Sequence, residues 1–356
     1  MKHLLLTLIA TFFITHACAQ ENIRVVERGF LYDDTIPPTC HAATIAETPR
    51  GEMIAVFFGG SYEGHPDSDE WICRRTKTSN WSKPEILTEG KRNKYIEKAF
   101  DYDTIQCDRK PCYNPVLYTN AHGKLILDYK IGRNMQDWTG WEITSKNGRK
   151  WTNPRPLANT PEERHLTLGP IKNKPLVNNG RIIAGSSTEV TYDSWCVHFE
   201  TSDDDGKTWQ KRTLDCEGIL CIQPALLRMG DNHVKALCRT RNKHIAITES
   251  FDNGNTWTKM RLSELPNNDS GIDAVTLRDG RHLLVYNPNS ESGHRSPLTI
   301  AMSDDSEHWT NIIDLEEDDR MEYSYPCIIE ASDGRIWVLY TWHRKKIAYA
   351  VLEITR

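Results

Sequence analysis

Ser202-Asp203-Asp204-Asp205-Gly206-Lys207-Thr208-Trp209 and Ser250-Phe251-Asp252-Asn253-Gly254-Asn255-Thr256-Trp257 spell one pattern twice: Ser-x-Asp-x-Gly-x-Thr-Trp. In such a segment the Ser and Asp side chains can bond the backbone of a tight turn, and Gly supplies positive φ. The Trp is left to fill an apolar gap. Outward from these two boxes a longer repeat emerges. A glycine turn followed by an alternating apolar strand occurs at Arg50-Gly51, His122-Gly123, Asn179-Gly180, Met229-Gly230, Asp279-Gly280 and Asp333-Gly334. The first five are each followed, 27 to 30 residues after the Gly, by Trp81, Trp151, Trp209, Trp257 and Trp309. Degenerate boxes surround Gly148 with Trp151 and Asp304 with Trp309, while around Trp81 only the Trp remains.

Six period-2 units with hairpin turns predict an all-β chain, a six-bladed β-propeller of four-stranded antiparallel blades. The sixth unit has no trailing box, so the strand around 23–31 is expected to close the last blade and hide the sheet edges. No capped, helix-periodic segment stands out. Residues 20–356 read as one domain, with 83–114 as a loop insertion between blades one and two.

Lys2 and His3 precede the apolar run 4–14, and Ala17-Cys18-Ala19 stands before Gln20, so residues 1–19 read as a secretory signal. The expectation is an exported protein, periplasmic or extracellular; Cys18 offers lipid attachment as a second reading. No later stretch is a transmembrane helix. Removing Cys18 with the leader leaves nine of ten cysteines, an odd number. Cys107 with Cys112, and Cys216 with Cys221, are spaced to close small loops. With no CxxC pair or close His cluster, neither a metal nor a cofactor is expected. A net charge of −5 argues against nucleic acid as a partner.

The inner strands of a propeller converge on a channel, so charges at their ends are candidates for chemistry. They are His41 at the first inner strand; Glu63 and Asp67 in the loop after it; Gln223 and Arg239 in the fourth unit; Arg295; and Glu322 with Tyr323 at the sixth. Glu189 and Asp273 lie near other inner-strand ends. The bland alternatives are solvated surface charges and, for His41, a satisfied core histidine.

Arg239 after an apolar strand, Arg295-Ser296-Pro297-Leu298-Thr299 before Ser303-Asp304, and Tyr323-Ser324 opening the last blade resemble the sialidase (neuraminidase) superfamily in type, order and spacing. The resemblance implies an exo-acting glycoside hydrolase. Arg239 and Arg295 would hold a substrate carboxylate, Tyr323 would be the nucleophile, and Asp67, with Glu63 as rival, the acid. Two positions depart from the family. Its first arginine falls on His41, read as a titratable substitute, and its tyrosine-activating glutamate falls on Gln223, which leaves Glu322 or Glu189 as stand-ins. The expected partner is an acidic glycan, with sialic acid first and a uronic acid second. A polysaccharide lyase and a non-catalytic glycan-binding propeller are the rival classes.

Overall fold

Among the residues that the computed structural model describes (22–33, 35–91, 109–158, 163, 169–189, 191 and 193–355), 24 strands form six four-stranded antiparallel sheets. There is no α-helix among them. Setting aside β1 (Asn22–Phe30), the sheets follow chain order. Blade one is β2 (Thr39–Glu47), β3 (Met53–Gly60), β4 (Asp69–Arg75) and β5 (Glu85–Thr88). Blade two is β6 (Cys112–Thr119), β7 (Leu125–Ile131), β8 (Thr139–Ser145) and β9 (Arg155–Pro156). Blade three is β10 (Leu176–Asn178), β11 (Arg181–Thr188), β12 (Cys196–Ser202) and β13 (Gln210–Thr213). Blade four is β14 (Cys221–Arg228), β15 (Val234–Thr240), β16 (His244–Ser250) and β17 (Arg261–Pro266). Blade five is β18 (Asp273–Thr276), β19 (His282–Tyr286), β20 (Leu298–Ser303) and β21 (Thr310–Glu316). Blade six is β22 (Tyr323–Glu330), β23 (Ile336–Trp342) and β24 (Lys346–Thr355), completed by β1, which pairs with β24 from Asn22↔Thr355 to Phe30↔Ala348. That closure pairs the otherwise open edge of β24 and makes β1 the outer strand of the last sheet. Of the segment 83–114, residues 85–88 and 112–114 lie in strands and 92–108 fall outside the described residues, as does the leader 1–19 with Cys18.

The core lies in the seams between blades. Each of the five repeat tryptophans packs where its own blade meets the preceding one. Trp257, for example, stacks on Phe199 of blade three at 3.5 Å between ring centroids. Trp151, Trp257 and Trp309 also donate Nε1–H to a carbonyl of their own turn, at 3.2, 3.3 and 3.1 Å. In the second full box, Asp252 accepts from Ser250 Oγ, Thr256 N and Thr256 Oγ1, and Ser250 Oγ accepts from Gly254 N. Gly254 has φ +85°, and a Cβ there would lie 3.1 Å from Ile183 of the preceding blade, so the turn needs glycine twice over. Asp252→Ala removes three acceptor bonds at a half-buried site and is expected to cost about 1–2 kcal/mol, read by urea unfolding, with ligand binding unchanged. A loss of binding at equal stability would show that the boxes do more than hold turns.

One irregularity recurs toward the channel. In β2, β6, β14 and β22 the pairing with the next strand slips across 41/44, 113/116, 222/225 and 324/327. The residue inside each slip, Ala42, Asn114, Gln223 or Tyr325, has φ between 46° and 56°. A bulge of this kind re-aims a side chain at the cost of local pairing. Non-glycine residues reach that region only when their surroundings enforce it. Pro115, Pro224 and Pro326 follow three of the four, and proline cannot donate to the ladder in any case.

Candidate active site

The bulges of β14 and β22 bring Gln223 and Tyr325 together. Gln223 Nε2 donates to Tyr325 Oη at 3.3 Å. Arg239, from the end of β15, donates Nη1–H to both Tyr325 Oη (2.8 Å) and Gln223 Oε1 (3.2 Å). Its Nε and Nη2 are held by Asp269 at 3.1 and 3.0 Å, and its guanidinium lies 5.0 Å above the Trp195 ring. Fork, ring and carboxylate together leave Arg239 one orientation.

Two more arginines complete the cluster. Arg295, just before β20, has its Cζ 5.8 Å from the Tyr325 ring, and Nη1 donates to Glu322 at 2.7 Å. Arg344 comes from the β23–β24 hairpin, where His343 and Arg344 both have positive φ. It donates to Glu322 through Nε at 3.1 Å and pairs with Glu63 through Nη1. Glu322 therefore holds two arginines. Burial raises its affinity for a proton, but Arg295 and Arg344 outweigh this and keep it below the usual carboxylate range. Nε and Nη2 of Arg295, and Nη2 of Arg344, have no acceptor among the described residues.

His41 lies within this ring of cations, 2 % exposed, with its ring centroid 4.1 Å from that of Tyr325. Both ring nitrogens are buried without a hydrogen-bond partner among the described residues. With Phe58, Gly59, Tyr62, Glu63 and Arg344 it lines a cavity of about 270 Å³. Burial first, then the charges of Arg344, Arg295, Arg239 and Lys172, push its pKa well below the ordinary value. The expectation of a histidine titrating near neutrality thus gives way to a neutral imidazole, because burial first and the four cations second disfavour its charged form. Affinity for an acidic ligand should therefore show no step from His41 between about pH 6 and 8, a range in which a free imidazole changes charge. Calorimetric titration across that interval checks this; a marked fall in affinity as pH rises, abolished by His41→Gln, would show His41 charged.

The remaining sequence candidates fall elsewhere. Tyr323 is buried beneath the site: its ring packs 5.2 Å from His343, and its N–H donates to Arg295 O at 2.9 Å. The structure thus puts Tyr325, two residues on, at the arginines. Asp67 is half-buried, bonded by Ser61 N, Ser61 Oγ and His65 Nδ1 at 2.9, 2.7 and 2.6 Å. Partial burial would raise its pKa, but those bonds win and lower it, opposite to what a proton donor needs. Glu189 is buried and accepts from Ser187 Oγ at 2.8 Å, with burial raising its pKa. Asp273 is 1 % exposed and ties blades together, accepting from Lys174 Nζ (2.7 Å) and Ile328 N (2.8 Å). Lys172 crosses the channel from blade three to Ile272 O and Pro326 O, and burial lowers its pKa to about 8.

Larger hollows, of about 390 Å³ at the rim by Trp81 and about 600 Å³ at the hairpin-turn end by Gly230 and Gly280, lie away from this cluster. No group of three or more metal-ligating side chains occurs among the described residues.

Known proteins agree with this architecture. Over 226 residues the chain is 24% identical to an anhydrosialidase of Macrobdella decora, covering 54% of this chain but only 29% of that longer protein. Among solved structures, a protein of unknown function from Dyadobacter fermentans superposes with a TM-score of 0.71 at 17% identity, covering 94% of this chain and 99% of that one. The intramolecular trans-sialidase of Ruminococcus gnavus gives 0.68 at 16%, covering 91% and 96%. At these identities the superpositions speak for the fold. A BNR repeat-like domain matches residues 51–338, and the chain belongs to that family, built on the propeller that sialidases share.

Proposed function

We propose that the protein is an exo-acting glycosidase that removes a terminal acidic sugar. The observation that carries this reading is the convergence of Arg239 and Arg295 on Tyr325, with Arg344 joined to Arg295 through Glu322 and donors on Arg295 and Arg344 left without an acceptor among the described residues. A carboxylate entering there completes forks that Glu322 and Asp269 have already aimed. Tyr325 Oη then faces the reacting carbon, and a neutral phenol meets less repulsion beside a carboxylate than an anionic nucleophile would. Donation from Arg239 favours the ionised phenol oxygen and Gln223 orients it, and the phenol proton passes to solvent as the oxygen bonds the sugar. Glu63, rather than Asp67, lines the cavity beside His41 and Arg344, which favours it as the acid that protonates the leaving group.

A second reading rests on His41. A neutral imidazole with two unpartnered nitrogens beside a tyrosine suits β-elimination from a uronate, in which it takes or gives a proton. One experiment separates them: the full chain is incubated with sialosides and uronosides and the products are identified by mass spectrometry. Release of a saturated acidic monosaccharide is expected. A product with a new carbon–carbon double bond would establish the lyase, and binding without turnover on any glycan would leave a lectin-like propeller.

A further inference from the structure

We propose that Cys196 and Cys216 are joined by a disulfide in the working protein, and that this bond fixes the floor under Arg239. The two Sγ atoms stand 2.6 Å apart, far closer than the roughly 4 Å of an ordinary side-chain contact. Both residues are half-exposed and open to an oxidant, whereas Cys40, Cys73, Cys112, Cys238 and Cys327 are buried. The spacing in sequence suggested Cys216 with Cys221, but Cys221 Sγ lies 4.0 Å from Cys216, and Cys196, 20 residues away in sequence, is nearer.

The position gives the bond a purpose. Cys196 is the first residue of β12, and the β12–β13 pairing begins only at His198↔Thr213, so this end of the hairpin has no ladder bond to Cys216. The residue before it, Trp195, is 4 % exposed and lies under Arg239, with Arg241 5.6 Å from the same ring. A covalent tie at Cys196 holds that indole, and the indole holds the guanidinium. In the bond-forming step the two thiols lose two protons and two electrons. The acceptor is a disulfide oxidant, protein or small molecule, which is itself reduced to two thiols.

The linkage is independent of the proposed activity; only its effect on ligand rests on that reading. The full chain, produced in an oxidising compartment, is alkylated during unfolding and digested without reductant. A Cys196–Cys216 peptide pair is expected; a Cys216–Cys221 pair, or both thiols alkylated, overturns the proposal. Backbone hydrogen exchange at 194–198 then compares the parent with Cys196→Ser. Faster exchange in the variant supports the positioning role, and unchanged exchange overturns that half. With N-acetylneuraminate as probe, the variant should bind several-fold more weakly. A parent that binds none of it counts against the acidic-sugar reading and leaves the linkage result intact.

Discussion

Tyr325→Phe should lower turnover by about a thousandfold or more, roughly 4 kcal/mol of lost transition-state stabilisation, while leaving ligand affinity within a few-fold of the parent. The substitution removes one oxygen, the one Arg239 and Gln223 both bond, and leaves the ring against His41 in place. Tyr323→Phe is the control. Its ring packs among core residues of blades five and six, so removing its hydroxyl should leave kcat nearly unchanged. Single-turnover measurements on whichever acidic glycoside the parent cleaves decide between them. Full activity in Tyr325→Phe would remove a tyrosine mechanism, and loss only in Tyr323→Phe would return the role to the residue the linear motif indicates.

Arg239→Ala is expected to weaken binding of an acidic sugar by about 2–5 kcal/mol, through faster dissociation. The guanidinium is buried, so its loss also strands Asp269, whose remaining cation, Arg241, stands 3.8 Å away. Arg239→Lys should recover only part of the loss, since an ammonium cannot bridge Tyr325, Gln223 and Asp269 at once. Equal affinity in parent and Arg239→Ala, measured calorimetrically, would rule out a carboxylate at this position. In the otherwise unchanged parent, Gln223→Glu puts a carboxylate at the 3.3 Å contact with the phenol and should preserve or raise activity on a sialoside.

Blade number was legible in the chain because glycine turns and tryptophans recur at one phase, and both are forced by geometry: a tight hairpin and a seam to fill. Arg239 and Arg295 stood out differently, as charges at strand ends in the order of the sialidase pattern. Tyr325 did not. Period-2 reasoning carries a strand's facing smoothly from residue to residue, whereas the slip between Ser324 and Cys327 rotates the chain locally. The signal was nevertheless present in Asn114-Pro115, Gln223-Pro224 and Tyr325-Pro326, which align once the prolines are superposed. Arg344 was not singled out: it sits in the β23–β24 hairpin beside Glu322 of its own blade, and only closure of the ring brings it to Glu63 of blade one.

The four slipped positions have a consequence for how such a molecule can change. Ala42, Asn114, Gln223 and Tyr325 are equivalent sockets, each held in its unusual backbone state by the strands beside it rather than by its own side chain. A replacement at any of them exchanges a tool without reshaping its holder. One frame can therefore be retooled, a residue per blade, between hydrolysing one sugar, eliminating across another and merely gripping a third, which makes the identities in these sockets a better guide to chemistry than the fold around them.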